Sequence, residues 1–138
     1  MSVPSWADTQ DCRTVLLEFL AAIDEGRATE AVPLFTEDAE FDARGQALHG
    51  RGPIGEFLAD REAETHRQTL HVLANETARL EGATIVLRAT LMLYERGPSG
   101  SYSLERVLAT TQTFRSHQGT WRIEQRRTRP LHPVTGPG

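Results

Sequence analysis

The residues best suited to chemistry in this sequence fall in segments that read as strands. His71 and Asn75 are four residues apart in the segment that begins at Thr69, so both side chains would point to one face of a regular strand. A histidine in a cavity can exchange a proton near neutral pH, and a nearby amide can hold a substrate oxygen. We therefore treat His71 as a candidate catalytic residue and Asn75 as a candidate binding residue. The alternative is that His71 is a hydrogen-bonded residue that only shapes a cavity wall.

A second candidate catalytic residue is Asp42, at the end of a short predicted strand. Its carboxylate could act as a base itself or could orient His71. The alternative is an exposed acid at a strand end, because Asp42 closes a run of acidic residues that starts at Glu37.

Polar residues also interrupt the apolar faces of the last two predicted strands. Arg106 and Gln112 share one face of the first of them, and Trp121 and Arg127 share one face of the second. If these faces turn inward, all four residues become binding contacts, and a buried arginine would require an anion from the protein or from a ligand. If a bulge shifts the register, Arg106 turns to solvent instead.

The elements that must position these residues follow from hydrophobic periodicity and from turn residues. A first helix capped by Asp8 or Thr9 is expected to run to about Glu25, followed by a short helix at 29–35 and a third helix at 52–65. A short strand is expected at 39–43, and a second short strand is expected to end near His49. Four longer strands are expected at 68–79, 83–96, 102–116 and 120–129.

This order of elements predicts an α+β domain. Helices followed by an antiparallel meander, in so short a chain, favour a strongly bent sheet wrapped around the first helix. Its cavity would be lined by Phe19, Phe57, Leu73 and Leu91. We expect residues 1–138 to form a single domain with its core at about 10–130, and residues 131–138 to form a mobile tail.

Charge is distributed unevenly along the chain. The first 64 residues hold 14 acidic residues and 5 arginines, whereas the remainder holds 5 acidic residues and 10 arginines. This pattern is typical of two solvated faces of one domain, or it indicates a basic sheet that attracts an anionic ligand or an acidic partner surface.

Composition excludes several classes of function. The chain has no lysine, so it cannot anchor pyridoxal phosphate or form a Schiff base. The single Cys12 cannot form an internal disulfide and is expected to be inert on a position outside the apolar stripe of the first helix. No apolar run would span a bilayer and no signal peptide is recognisable, so we expect a cytoplasmic protein that does not contact a membrane.

The sequence patterns argue against metal ions, nucleic acids and dinucleotides as ligands. The five histidines lack metal-ligand spacing, and we expect no metal and no cofactor. The basic run at 126–129 lacks interleaved aromatic residues, which argues against nucleic acid. The G-x-G-x-x-G pattern at 50–55 precedes antiparallel strands, so its glycines are expected to serve a turn and a helix start.

Five segments in a fixed order resemble a known family. They read F-L-A-A-I-D-E-G, L-F-T-E-D-A-E-F, G-R-G-P-I-G-E-F-L, H-V-L-A-N and G-T-W-R-I-E-Q-R-R. Over residues 10–130 the chain resembles the SnoaL-like group of the nuclear transport factor 2-like superfamily. The resemblance implies a conical α+β barrel with a deep apolar pocket, usually dimeric through the outer face of its sheet. Members include polyketide cyclases, dehydratases, ketosteroid isomerases and non-catalytic binding proteins.

The resemblance separates the candidate activities. Ketosteroid isomerases require tyrosine and aspartates where this chain has Phe19, Ala43 and Gln112, so that activity is not implied. Scytalone dehydratase-like members carry a histidine on the strand after the third helix, which His71 matches, and the fold would place Asp42 at the pocket mouth. SnoaL-like cyclases use a carboxylate, and the inward face predicted for the last strand has none.

We therefore expect a pocket protein that performs cofactor-free cyclisation, dehydration or isomerisation on a mostly apolar substrate, for example an aromatic or polyketide-derived one. The alternatives are a non-catalytic small-molecule binding module and an accessory subunit that docks another chain through its sheet. We also expect a homodimer through the outer face of the second long strand, which carries Thr84, Val86, Arg88, Thr90, Met92 and Tyr94.

Overall fold

The computed structural model describes residues 2–43 and 45–133. The helices are α1 (Trp6–Asp24), a 3₁₀ helix (Ala28–Leu34) and α2 (Arg51–Ala63). The strands are β1 (Phe35–Ala43), β2 (Gln46–His49), β3 (Thr69–Glu81), β4 (Thr84–Arg96), β5 (Tyr102–His117) and β6 (Thr120–Pro130). Most of the segment predicted to be a mobile tail, residues 134–138, lies outside the described residues.

Helix α1 starts earlier than the sequence predicted. The Ser5 hydroxyl accepts a hydrogen bond from the backbone N–H of Asp8 at 3.0 Å, so Ser5 rather than Asp8 or Thr9 caps the helix. Its buried stripe includes Phe19 and also Cys12, which is fully buried. The expectation that Cys12 lies outside this stripe is therefore wrong.

The two shorter helices pack against each other. The 3₁₀ helix occupies the segment predicted as the second helix, and Pro33 inside it prevents regular α-helical bonding. Thr29 donates from its hydroxyl and its backbone N–H to the Glu62 carboxylate of α2, at 2.8 and 3.1 Å. Helix α2 follows Gly50, whose φ of +87° suits glycine, and has Pro53 in its first turn.

The six strands form one sheet in the order β2-β1-β6-β5-β4-β3. All neighbouring pairs are antiparallel except β1 and β6, which run parallel. The predicted α+β class with a mostly antiparallel sheet is thus confirmed. Helix α1 packs against β3, β4 and β6, so the sheet curls around this helix. The core between them includes the fully buried side chains of Phe19, Phe35, Ile85, Leu87, Leu91, Phe114 and Ile123.

Bulges in β3, β5 and β6 affect which side chains reach the interior. In β5 the pairing with β4 moves from Leu104 to Arg106, and Arg106 is exposed. In β3 the pairing with β4 moves from Ala74 to Thr77, and Asn75 adopts a φ of +54°. In β6 the pairing with β5 moves from Ile123 to Gln125, which leaves Glu124 as an extra residue. An extra residue reverses the inward and outward alternation beyond it. Sequence periodicity alone therefore assigns the wrong face to residues beyond each bulge.

Candidate functional site

A cavity of about 740 Å³ opens between the curled sheet and the two α-helices. Its inner wall is aromatic: the ring centroid of Phe41 lies 6.0 Å from that of Phe19 and 5.4 Å from that of Phe57. Leu58, Leu91, Leu93 and Leu108 extend this apolar lining. The exposed lining residues mark the mouth, and they are Gly45, Asp60, Arg106, Arg129 and Pro130.

His71 lies in the cavity wall and is held from behind by Asp24, the last residue of α1. The ring nitrogen Nδ1 is 2.6 Å from the Asp24 Oδ1 oxygen, and the backbone N–H of His71 donates to Oδ2 at 2.8 Å. An ionised carboxylate can only accept, so Nδ1 carries the proton in this contact. The nitrogen Nε2 is then the one left to meet a molecule in the cavity.

Further hydrogen bonds fix Asp24 in turn. The Thr69 hydroxyl donates to Asp24 Oδ1 at 2.9 Å and accepts from Nη2 of the buried Arg61 at 2.9 Å. Arg61 also donates to the carbonyl oxygen of Arg67 at 3.3 Å. The network joins α1, α2 and β3, so the position of His71 depends on all three elements.

Sequence reasoning missed Asp24. It is 47 positions away from His71 in the chain, and strand alternation cannot reveal a partner on a helix. One signal was present, because a carboxylate in the last turn of a helix is disfavoured by the helix dipole and therefore calls for a local partner.

Asp42 also lies in the cavity wall, but its carboxylate has a different partner. It accepts a hydrogen bond from Nη1 of Arg129 at 2.7 Å, near the mouth. Among the described residues it makes no hydrogen bond to His71, whose partner is Asp24.

Arg126 is one of the wall residues that the sequence pattern did not indicate. It is only 6% exposed, and its guanidinium carbon lies 4.8 Å from the centre of the Phe19 ring and 5.9 Å from that of Phe41. Its Nη1 is buried without a hydrogen-bond acceptor. The bulge at Glu124 turns Arg126 inward and leaves Arg127 exposed beside a smaller cavity of about 220 Å³.

The remaining predicted site residues divide into two groups. Phe19, Phe57, Leu91 and Arg106 line the cavity, with Arg106 exposed at its mouth. The others do not line it, and these are Asn75, Leu73, Gln112, Trp121 and Arg127.

Local structure explains why these predicted residues do not line the cavity. Asn75 is exposed because it forms the β3 bulge. Leu73 packs against the core, and the fully buried Gln112 donates to the Thr110 hydroxyl at 2.6 Å. Trp121 packs against the core and its Nε1 is 3.4 Å from Asp8 Oδ1 of α1.

Residues 2–43 and 45–133 contain no cluster of three or more His, Cys, Asp or Glu side chains that could hold a metal ion. None of the helices in these ranges is long and apolar enough to cross a membrane.

Comparison with solved structures shows the same fold in bacterial proteins. A nuclear transport factor 2-like protein with a cystatin-like fold from Novosphingobium aromaticivorans is 25% identical, with a TM-score of 0.81 over 93% of this chain and 84% of that chain. Aln2 from a Streptomyces species is 16% identical, with a TM-score of 0.83 over 94% of both chains. A candidate scytalone dehydratase from Novosphingobium aromaticivorans is 17% identical, with a TM-score of 0.78 over 91% of this chain and 85% of that one.

Sequence comparison identifies the family. No curated protein matches the chain significantly. The model of the SnoaL-like domain matches residues 4–127, which is nearly the whole chain. The chain therefore belongs to the SnoaL-like domain family.

Proposed function

We propose that this protein performs cofactor-free acid–base chemistry on a mostly apolar small molecule held in the cavity, as a cyclase, a dehydratase or an isomerase. The observation that carries the proposal is the His71–Asp24 pair, which presents one imidazole nitrogen to an apolar cavity. A histidine so placed can take a proton from a carbon or oxygen acid and return it at another position.

The carboxylate of Asp24 would serve two purposes. It holds the ring so that Nε2 faces the ligand, and its negative charge stabilises the imidazolium that forms when His71 accepts a proton. Asp42 is the second carboxylate considered for proton transfer, but Arg129 already binds it near the mouth. We therefore assign proton transfer to His71 and leave Asp42 as a polar contact at the entrance.

The family supports this class of chemistry without defining the substrate. The SnoaL-like match supports a small-molecule pocket, and one structural neighbour carries the name of a candidate scytalone dehydratase. The three phenylalanines of the cavity wall favour a flat or aromatic ligand.

Proton exchange tests the proposal without knowledge of the natural substrate. In D₂O, the protein should speed exchange of the acidic C–H protons of 2-tetralone, a bicyclic ketone, as followed by NMR. His71→Ala should reduce the rate roughly 100-fold or more, toward the rate in buffer. His117→Ala, at an exposed position on β5, serves as the matched control. Equal rates for the wild type and His71→Ala would contradict the proposal.

An assembly through the sheet is proposed as well, because the outer face of β5 exposes large apolar side chains. Tyr102, Leu104 and Val107 are 52%, 49% and 37% exposed. Such a surface favours contact with another chain, and a second copy is the occupant we propose.

A further inference from the structure

The buried Arg126 carries a positive charge that no described residue pairs with a negative one. The structure describes all 19 acidic side chains of the sequence, and none of them forms an ion pair with Arg126. Among the described residues the guanidinium group donates no hydrogen bond. A buried arginine in this state has lost its hydration without full compensation.

The aromatic neighbours of Arg126 offset only part of that loss. The faces of Phe19 and Phe41 attract the cation, but ring faces do not replace the acceptors that five N–H donors require. Burial lowers the pKa of Arg126 to about 10, so the group remains protonated at neutral pH. The charge is therefore present in the lining of the cavity.

The charged side chains that line the cavity include more positive than negative groups. In the described part of the chain, five arginines and three carboxylates line the cavity. Asp42, the carboxylate next to Phe41 on β1, is bound by Arg129 and does not neutralise Arg126. Among the lining arginines, Arg106 and Arg129 are exposed at the mouth, whereas Arg126 lies against the aromatic wall.

We propose that the natural ligand is an aromatic or polycyclic carboxylate, whose carboxylate group binds Arg126 while its apolar body lies against the phenylalanine wall. A carboxylate matches the planar fork of a guanidinium and supplies both the missing charge and the missing acceptors. This inference deepens the proposed function, because it assigns a ligand class to the same cavity. It depends on the cavity being the binding site and not on His71 being catalytic.

A pair of probes that differ in charge and not in shape tests the proposal. Binding of 2-naphthoate and of its neutral amide, 2-naphthamide, is measured by calorimetry. The wild type should bind the acid roughly 10- to 100-fold more tightly than the amide, as expected for charge-assisted hydrogen bonds. Arg126→Met should abolish this preference, and Arg126→Lys should keep part of it. Arg122→Met is the matched control on the same strand, because Arg122 lines neither cavity, and it should bind like the wild type.

The melting temperature separates a ligand-binding role from a structural one. Replacement of a buried unpaired charge by an apolar side chain of similar length should leave the melting temperature unchanged or raise it. Equal binding of acid and amide by the wild type would overturn the proposal, and so would a full preference retained in Arg126→Met, which would place the anion at the mouth arginines. A failed exchange assay together with a strong preference for the acid in the wild type would contradict the proton-transfer role alone, so a failed exchange assay and a failed ligand class remain distinguishable.

Discussion

The carboxylate of Asp24 accepts three hydrogen bonds, from the His71 ring, the His71 backbone and the Thr69 hydroxyl. Asp24→Asn keeps the shape but loses the charge and one acceptor. We expect proton exchange to slow roughly 100-fold or more, because the imidazolium that forms on His71 loses its stabilising partner. Asp11→Asn, on the exposed side of α1, should exchange like the wild type.

A double variant shows whether the two residues act as a unit. If Asp24 acts only through His71, Asp24→Asn should add little to the loss in His71→Ala. Losses that multiply would mean that Asp24 affects the chemistry independently. Asp24→Ala should also destabilise the fold by about 1–3 kcal/mol, because it leaves partly buried donors unpaired. Unfolding by urea measures this change.

Cys12 gives a prediction about reactivity and pH. Burial raises the pKa of its thiol to about 12, and the nearby charges of Asp8 and Asp11 add to the effect. Only the thiolate reacts with alkylating reagents, so native protein at pH 8 should resist iodoacetamide, and denatured protein should gain one adduct by mass spectrometry. The folded state favours the neutral thiol, so this contribution to stability is complete below pH 9.0 and is lost as the pH approaches 12. Rapid labelling of native protein would contradict the buried position.

At the scale of elements, the β3 bulge leaves Asn75 exposed and outside the cavity lining. Asn75 adopts a φ of +54°, a conformation that asparagine and glycine tolerate and β-branched residues do not. Asn75→Gly should therefore be nearly neutral, whereas Asn75→Val should destabilise by about 1–2 kcal/mol in urea unfolding. Thr77→Val, at an exposed position of the same strand, should show no such loss. A similar cost for valine at both positions would argue against the bulge.

The same bulges explain how far the sequence predicted the site. Alternation holds from Thr69 to the bulge, so His71 lies on the cavity side as its parity indicated. Beyond a bulge the parity reverses, so Arg127 was selected from the sequence although Arg126 faces the cavity. A one-residue bulge is hard to detect in a hydrophobic pattern, because it leaves one residue unpaired and does not reduce the burial of apolar side chains.

The order and class of the elements were more predictable than these faces. Long apolar alternation at 83–96 and an apolar stripe on α1 each involve many residues, so one irregularity does not hide them. Helix ends depend on single caps, and the Ser5 cap displaced the predicted start of α1.

At the scale of the whole molecule, α1 links β3, an edge strand of the curled sheet, to β6, which lies in the interior of the sheet. Its Arg13 forms a two-oxygen contact with Glu76 of β3, at 2.8 and 3.1 Å, and its Asp8 meets Trp121 of β6 at 3.4 Å. The cavity lies beside this helix. Arg126 of β6 and His71 of β3 both line it, although two strands separate β6 from β3. The proposed proton-transfer group and the proposed anion site therefore line the same cavity although they lie on strands that are not neighbours.

The outer face of the sheet supports a proposal about assembly. Register places apolar side chains opposite each other across three strands in two adjacent rows, Leu70–Tyr94–Leu104 and Val72–Met92–Val107. Of the face predicted to form a dimer interface, Thr84 and Val86 are already buried within one chain, so the available surface is shifted toward these two rows.

We expect two copies to pair through these rows, because Leu70, Leu104 and Val107 are large apolar side chains that stay exposed in one chain. Light scattering coupled to size exclusion should give about twice the 15.4 kDa of one chain at high micromolar concentration. Val107→Glu should yield monomers, because a carboxylate in the centre of the contact would have to lose its hydration without a partner. Thr113→Glu, further along β5, should stay dimeric. A monomeric wild type would refute the assembly, and a dimer that survives Val107→Glu would place the interface on another face.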